Sequence, residues 1–373
     1  MRIAVNTRLL LKGKMDGIGW FTAESMQRIV RSHPEHTFYF LFDRKPSPEF
    51  LFADNVVPVT LCPQARHPVL WYLFFEWAVP YALKKYRIDL YVSPDGMMPL
   101  HSKVPTLTVI HDLNFEHAAG NLKPSHQRYM SHYYPRFATQ ATRVATVSEY
   151  SKRDIAETYG VPLEKIDVVY DGAHSNYRPH SEAEKSAIRA KFTSGAPYII
   201  FISTILKRKN LANLLTAFDR VKEGWPELKL VVVGSKVWWQ DELAKAYDQM
   251  RHQADVVMPG HVEPGDLSAL LSASEMLVYP SYFEGFGIPI LEAMYAETAV
   301  VASKTTSMPE VGGDAVLYID PHSPDDIAHA ISELKNEEVR QQLIERGRQQ
   351  RTLFSWDRTA NLLWTSMMKT LER

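Results

Sequence analysis

Short runs of β-branched and other apolar residues alternate along the chain with longer stretches whose apolar positions recur at helical period. In the first half the strand-like runs fall at Ile3–Asn6, Phe38–Phe42, Val56–Thr60, Leu90–Ser93, Thr106–Ile110, Arg143–Val147 and Ile166–Val169. Helical periods fit Ile18–Ser32, Pro68–Tyr86, Ser125–Ala141 and Ser148–Tyr159, the last with a serine at its N-cap and Gly160 just past its end. From Asp171 to Gly195 the apolar pattern lapses, which predicts a linker with a short polar helix. The alternation then restarts. Strands are expected at Tyr198–Ser203, Leu228–Val233, Val256–Met258, Met276–Tyr279, Ala299–Ala302 and Val316–Ile319. Helices are expected at Asn210–Lys222, Trp239–His252, Pro264–Ser272, Ile288–Ala296, Pro324–Leu334 and Glu337–Arg351, and a final amphipathic segment covers Trp356–Leu371. Such alternation signals a doubly wound α/β chain: two Rossmann-like domains facing one another, with ligands at the carboxyl ends of the strands in the cleft between them. The expected division is residues 1–172 and 173–355, with 356–373 crossing back to the first domain.

Length agrees with this plan, since 373 residues at roughly 150 per domain make two domains the natural number. With 45% hydrophobic and 23% charged residues the composition excludes a disordered or fibrous chain. A net charge of −1 argues against a general nucleic-acid binder, so any polyanion must be met by a local cluster. The single cysteine, Cys62, excludes a disulfide framework and points to a reducing compartment. The N-terminus runs directly into an apolar strand, and the most apolar stretch, Val69 to Ala82, is broken by Glu76 and Pro80. These features predict a cytoplasmic protein without a signal peptide or a membrane span.

Four places could carry chemistry. Asp16-Gly17-Ile18-Gly19 follows the first strand and opens a helix, but Thr22 stands where a dinucleotide fingerprint needs its third glycine. Glycines there let backbone amides approach a phosphate or sugar, or simply satisfy loop geometry. Lys207-Arg208-Lys209-Asn210 follows a strand and precedes a helix, a compact place to neutralise a diphosphate. Ser281 to Glu292 (Ser-Tyr-Phe-Glu-Gly-Phe-Gly-Ile-Pro-Ile-Leu-Glu) is the most specific stretch. Its Gly285 and Gly287 permit a backbone nest, and Pro289 suits a first helical turn. Glu284 and Glu292 are eight residues apart, about 12 Å if wholly helical. That is too far for one metal site and suited to gripping the two ends of an extended ligand such as a nucleotide-sugar. The fourth place is His111-Asp112, at a strand's carboxyl end. There is no nucleophile elbow, no G-x-x-x-x-G-K-[S/T] loop, no H-E-x-x-H pair and no convincing Asp-x-Asp, so neither a metal nor a cofactor is expected.

Taken together, these residues resemble the retaining GT-B glycosyltransferases of glycosyltransferase family 4 over nearly the whole chain. The likeness is strongest from Gly260-His261-Val262 through Glu284–Met294 to Pro309–Asp314, with Arg208-Lys209-Asn210-Leu211, Val109–Leu113 and Val147–Lys152 adding to it. It implies that Arg208 and Lys209 hold the donor diphosphate, with Ser203 and Thr204 in the turn before them. Glu284 and the backbone of Gly285, Phe286, Gly287 and Ile288 would meet the donor sugar, Glu292 the ribose and Val262 the base. Gly17 and Gly19 would lie beside the phosphates, and His111 under the reacting sugar. The chain departs from the family where Gly-Thr is usual (Ser203-Thr204), where Cys-Gly-Thr-Pro-Val-Val is usual (Ala296 to Val301), and in reading Asp171-Gly172 for Asn-Gly.

The implied reaction transfers a hexose, mannose by motif style, from a GDP- or UDP-linked donor to a glycan or lipid-linked glycan. Two other readings stay open on the residues alone, a nucleotide-sugar epimerase and a non-catalytic nucleotide-sugar-binding protein. The aromatic segment 67–87, ending in Lys84-Lys85-Tyr86-Arg87, reads first as a core helix and second as a peripheral membrane contact.

Overall fold

The computed structural model describes residues 1–117, 122–234, 242–260 and 262–372. It divides into two compact units, one of Met1–Asp171 with Trp356–Arg373 and one of Gly172–Ser355. Each is built on a wholly parallel sheet. The first contains β1 (Arg2–Asn6), β2 (Thr37–Phe42), β3 (Val56–Thr60), β4 (Leu90–Ser93), β5 (Thr106–Val109), β6 (Arg143–Thr146) and β7 (Ile166–Val168). The second contains β8 (Tyr198–Ile202), β9 (Lys229–Val233), β10 (Val256–Gly260), β11 (Met276–Tyr279), β12 (Ala299–Ser303) and β13 (Val316–Ile319).

The strand orders are β3-β2-β1-β4-β5-β6-β7 and β10-β9-β8-β11-β12-β13. Both orders reverse once, between β1 and β4 and between β8 and β11. At such a point the connections leave to opposite faces of the sheet and open a crevice at the carboxyl ends of the strands. The inner strands are buried on both faces, which is why Ile3-Ala4-Val5 and Tyr198-Ile199-Ile200-Phe201 read as unbroken apolar runs. Their continuous hydrophobicity, rather than alternation, is the signal that locates these inner strands.

The structure departs from the sequence reading at three places. The expected linker is part of the second unit. The helix Glu182–Thr193 has a full capping box between Ser181 and Glu184, and His180 N and Nε2 bond Ser272 Oγ (3.0 Å) and Ser268 Oγ (3.1 Å). The short polar helix expected there is present, anchored by hydrogen bonds rather than by a wide apolar face. The expected helix Pro68–Tyr86 is interrupted by a wider π turn at Phe74–Ala78, just before Pro80 removes a donor. Of the helix expected at Trp239–His252, Glu242–Asp248 is seen, and residues 239–241 lie outside the described residues.

The last helix, Trp356–Lys369, packs in the first unit. Asp167, just inside β7, takes Arg143 through two bonds of 2.8 and 2.9 Å and also accepts Ser366 Oγ at 2.7 Å. Arg28 Nε reaches Asp357 at 2.6 Å.

Gly234 follows β9 at φ +154, and a Cβ there would collide with the Ser203 carbonyl just past β8. Gly234→Ala therefore combines backbone strain with a clash that neither strand can relieve. It is expected to destabilise the second unit by about 3 kcal/mol, read as a lower denaturation midpoint in tryptophan fluorescence.

Candidate active site

The basic turn leaves β8 as one turn of 3₁₀ helix, Lys207–Lys209, followed by Asn210 in the left-handed region at φ +60. Asparagine tolerates that conformation, and here its side chain also ties the turn in place. Nδ2 donates to the Pro280 carbonyl just past β11 (2.9 Å) and to the Pro321 carbonyl just past β13 (2.6 Å). The Tyr282 amide donates to the Arg208 carbonyl at 2.8 Å. The loops after three strands are thereby lashed together on the carboxyl side of the sheet.

Glu284 sits between the two cations. Lys209 Nζ donates to its Oε1 at 2.6 Å and Arg208 donates to its Oε2 at 3.0 Å, and all three side chains are nearly buried. Lys209 also donates to Tyr279 Oη at 2.8 Å, and Arg208 to the Phe283 carbonyl at 2.9 Å. Burial works against the carboxylate charge, but Lys209 and then Arg208 override it and hold the Glu284 pKa at about 2. A pKa below the ordinary carboxylate value means that folding is stabilised above about pH 4.5, and that this stabilisation is lost as pH falls towards 2. The cluster is a preorganised arrangement of two cations and one carboxylate.

The following loop is braced from β12's far side. Thr306 Oγ1 accepts the Glu284 amide at 3.2 Å, and the Ser307 hydroxyl lies 2.9 and 2.8 Å from the carbonyls of Glu284 and Phe286. Gly285, Phe286 and Gly287 are buried. Gly287 takes φ +107 as the N-cap of helix Ile288–Tyr295, with Pro289 in its first turn. The first amides of a helix have no intrahelical acceptor and face an anion favourably.

Glu292 lies farther along that helix and has a different partner. Burial raises its pKa to about 7, and a hydrogen bond with the Tyr177 hydroxyl opposes the rise. Tyr177 comes from the stretch expected to be linker, which explains why sequence reasoning missed it. Ser203 follows β8, its amide bonded to the Val233 carbonyl at 3.0 Å, and Thr204 is exposed. Val262 is buried beyond β10, while His261 lies outside the described residues.

The remaining expected residues belong to the first unit. His111 follows β5, and its Nε2 is 2.9 Å from the Pro94 carbonyl. A carbonyl can only accept, so Nε2 carries the proton and Nδ1 is the ring's acceptor. Burial lowers the His111 pKa, which keeps the ring neutral near pH 7. Phe21 meets it edge-on at 4.9 Å and in turn touches Trp356 of the last helix at 6.4 Å. Gly17 has open space where a Cβ would stand, whereas a Cβ on Gly19 would lie 2.9 Å from the Leu9 carbonyl. The helix they open, Gly17–Ser32, is already capped, with Asp16 Oδ1 accepting the Gly19 amide at 2.9 Å. The structure thus brings Arg208, Lys209 and Glu284 into one cluster, with the Gly285–Ile288 turn continuing from it. Among the described residues no three His, Cys, Asp or Glu side chains are placed to hold a metal ion.

Family models match both halves of the chain: Glycosyltransferase Family 4 over residues 15–177 and Glycosyl transferases group 1 over 183–350. The chain is 32% identical over 280 residues to O-antigen chain mannosyltransferase B of Escherichia coli, covering 74% of this chain and 73% of that one. The chain belongs to glycosyltransferase family 4. It is also 27% identical over 271 residues to O-antigen chain mannosyltransferase RfbU of Salmonella typhimurium, covering 72% of this chain and 71% of that one. The Anabaena Alr3699/HepE structure with UDP-glucose superposes with a TM-score of 0.74 at 17% identity, covering 99% of this chain and all of that one. The fold is GT-B, as the resemblance implied.

The first unit of this glycosyltransferase also carries a polar cluster that no sequence motif announced. At the switch point between β1 and β4, Arg8 Nε meets Asp95 Oδ2 at 2.5 Å, with side chains only 10% and 4% exposed. Asp95 Oδ1 accepts Asn6 Nδ2 (2.7 Å), Ser93 Oγ (3.0 Å) and the Met97 amide (3.2 Å). The Asp95 carbonyl accepts Tyr134 Oη at 3.0 Å. The carboxylate therefore fixes the turn whose Pro94 carbonyl holds His111. The available signal was a charged residue at the end of each switch-point strand, a rule of topology that becomes usable only when the strand order is known.

Proposed function

We propose that this glycosyltransferase moves a hexose, with mannose first among the candidates, from a nucleotide-sugar to a hydroxyl of a glycan or lipid-linked glycan in bacterial surface polysaccharide or lipopolysaccharide synthesis. Transfer retains configuration and requires no metal. The observation that carries the reading is the Arg208–Glu284–Lys209 cluster at the β8/β11 switch point. The mannosyltransferase relatives support the sugar and the pathway class, and the UDP-glucose bound by the Anabaena protein supports a nucleotide-sugar donor.

In this scheme Arg208, Lys209 and the amides at Gly287–Ile288 face the donor diphosphate. As the glycosyl–oxygen bond breaks, the electron pair passes to the departing nucleoside diphosphate, and the cations stabilise that growing charge. A preorganised group of this kind is worth about 3 kcal/mol. Because two cations do this work, no divalent ion is needed. A carboxylate has about four acceptor positions, of which the cations use two, so Glu284 can also accept donor-sugar hydroxyls. The Gly285 and Phe286 backbone would lie along that sugar, with Ser203, Thr204, Gly17 and Gly19 beside the phosphates and Val262 at the base. The acceptor hydroxyl attacks the same face and gives its proton to the leaving phosphate. The neutral His111 ring would polarise the sugar through Nδ1, since its proton is committed to Pro94.

Glu292 would bind the ribose hydroxyls, which requires its ionised form as acceptor. A pKa near 7 then makes donor affinity rise as pH passes from 6 to 8. Calorimetric titration with GDP-mannose should show this rise, and Glu292→Gln should bind weakly with no such dependence. A wild-type affinity flat across the range would remove Glu292 from the ribose.

The function itself is tested with a panel of GDP- and UDP-sugars, first by thermal shift and then by nucleotide release with acceptor, with and without EDTA. Stabilisation by one donor and acceptor-dependent release undiminished by EDTA are expected. Stabilisation without nucleotide release would point to the binding-protein reading instead, and conversion of the sugar on the nucleotide to the epimerase reading.

A further inference from the structure

The helix spanning residues 68–85 in the first unit turns an apolar row outward. Val69, Trp77 and Tyr81 are 64%, 69% and 65% exposed, with Tyr72 and Leu73 also exposed between them. Val69, Leu73, Trp77 and Tyr81 recur every four residues. In a regular α-helix that spacing drifts steadily round the axis, but the π turn at Phe74–Ala78 takes up more residues per turn and reduces the drift. The opposite side of the same helix, Trp71, Phe74, Phe75, Val79, Ala82 and Leu83, is in the core. Core packing therefore accounts for one face only, and scattered surface apolar residues do not form such a row.

Charge around the row has one sign. Lys84, Lys85 and Arg87 are exposed at its end and Arg66 at its start. Between Asp54 and Asp89 the only acidic residue is Glu76. That side chain is 6% exposed and is consumed by the Leu100 amide (2.9 Å) and His101 (2.7 Å). The neighbouring helix Pro124–Gln140 continues the pattern: no acidic residue occurs from His117 to Ser148, while Lys123, Arg128 and Arg136 are exposed. The two helices join at the surface through Tyr72 and Tyr133 (6.3 Å), with Arg136 lying over Tyr133 at 5.8 Å. Lys85 lies over the rings of Tyr81 (5.9 Å) and Tyr86 (5.3 Å). On a chain of net charge −1 this is a strong local excess.

We propose that this face docks on an anionic lipid bilayer, with Val69, Leu73, Trp77 and Tyr81 in the interfacial layer and the lysines and arginines on lipid phosphates. Aromatic and aliphatic groups bordered by cations match the membrane boundary, where rings sit at headgroup level and each cation near the surface adds affinity. A second copy of the chain fits less well, because a self-complementary contact would bring two cationic rims together.

The test is co-sedimentation of the full chain with vesicles of phosphatidylcholine, with or without phosphatidylglycerol. Wild type should bind the anionic vesicles and lose binding as salt rises. Lys84→Glu/Lys85→Glu should bind them at least about thirtyfold more weakly, and Trp77→Ser/Tyr81→Ser should also lose binding. Both variants should keep the wild-type thermal shift with nucleotide-sugar, a readout independent of the vesicles. Equal binding to both vesicle types, or unchanged binding in the charge-reversed variant, overturns the proposal. So does a wild-type dimer that ignores vesicles and dissociates on Trp77→Ser.

Discussion

Lys209→Ala should lower kcat/KM for glycosyl transfer by about 10²–10³, the cost of removing one preorganised group from a developing oxyanion. The protein should stay folded, because Arg208 still donates to Glu284 at 3.0 Å and the carboxylate keeps a counter-charge. Glu284→Gln makes the complementary case. It leaves Arg208 and Lys209 nearly buried without their shared anion. Activity should fall as far, and the second unit should also lose about 3 kcal/mol or more of stability. Nucleotide release under saturating acceptor, alongside thermal denaturation of each variant, separates the two effects. Near-wild-type turnover in Lys209→Ala would mean that the basic turn holds structure only.

The largest stability effect is expected in the other unit. Asp95→Ala should cost about 3–5 kcal/mol, because it strands a buried guanidinium that now meets the carboxylate at 2.5 Å. It also removes the acceptor of Asn6, Ser93 and the Met97 amide. Arg8 lies over the rings of Trp71 and Phe75 at 5.9 and 5.8 Å, so an uncompensated charge there has no easy route to water. Denaturant unfolding followed by circular dichroism measures the loss. A change below about 1 kcal/mol would place the pair among ordinary surface ion pairs.

These two clusters also show how far the sequence could be read. The basic turn and the Glu284–Glu292 stretch were legible because each is contiguous, lies just past an apolar strand, and combines charge with glycines. The inner strands were legible because burial on both faces leaves an unbroken apolar run. Arg8 and Asp95 were not legible. They are distant in sequence, and they meet only because β4 inserts beside β1 in the sheet order. Tyr177 was hidden for a different reason. A segment held by hydrogen bonds, such as the His180 contacts to Ser268 and Ser272, carries no hydrophobic period to detect. In sequence Asn210 looks like the edge of a basic cluster, while its main work is to bond the loops after β11 and β13 from a left-handed backbone.

The turn Lys207–Lys209 and the loop at Glu284 are expected to grip a diphosphate. The most direct measurement is the calorimetric affinity of GDP against GMP, and of UDP against UMP, for the intact protein. Two cations contribute only when the second phosphate is present, and a hydrogen bond to a charged group is worth about 1.5–3 kcal/mol. The diphosphate matching the donor base should therefore bind about a hundredfold more tightly than its monophosphate, and Lys209→Ala, which leaves Arg208, should cut the difference to about tenfold. Equal affinities for diphosphate and monophosphate in the wild type would contradict the claim.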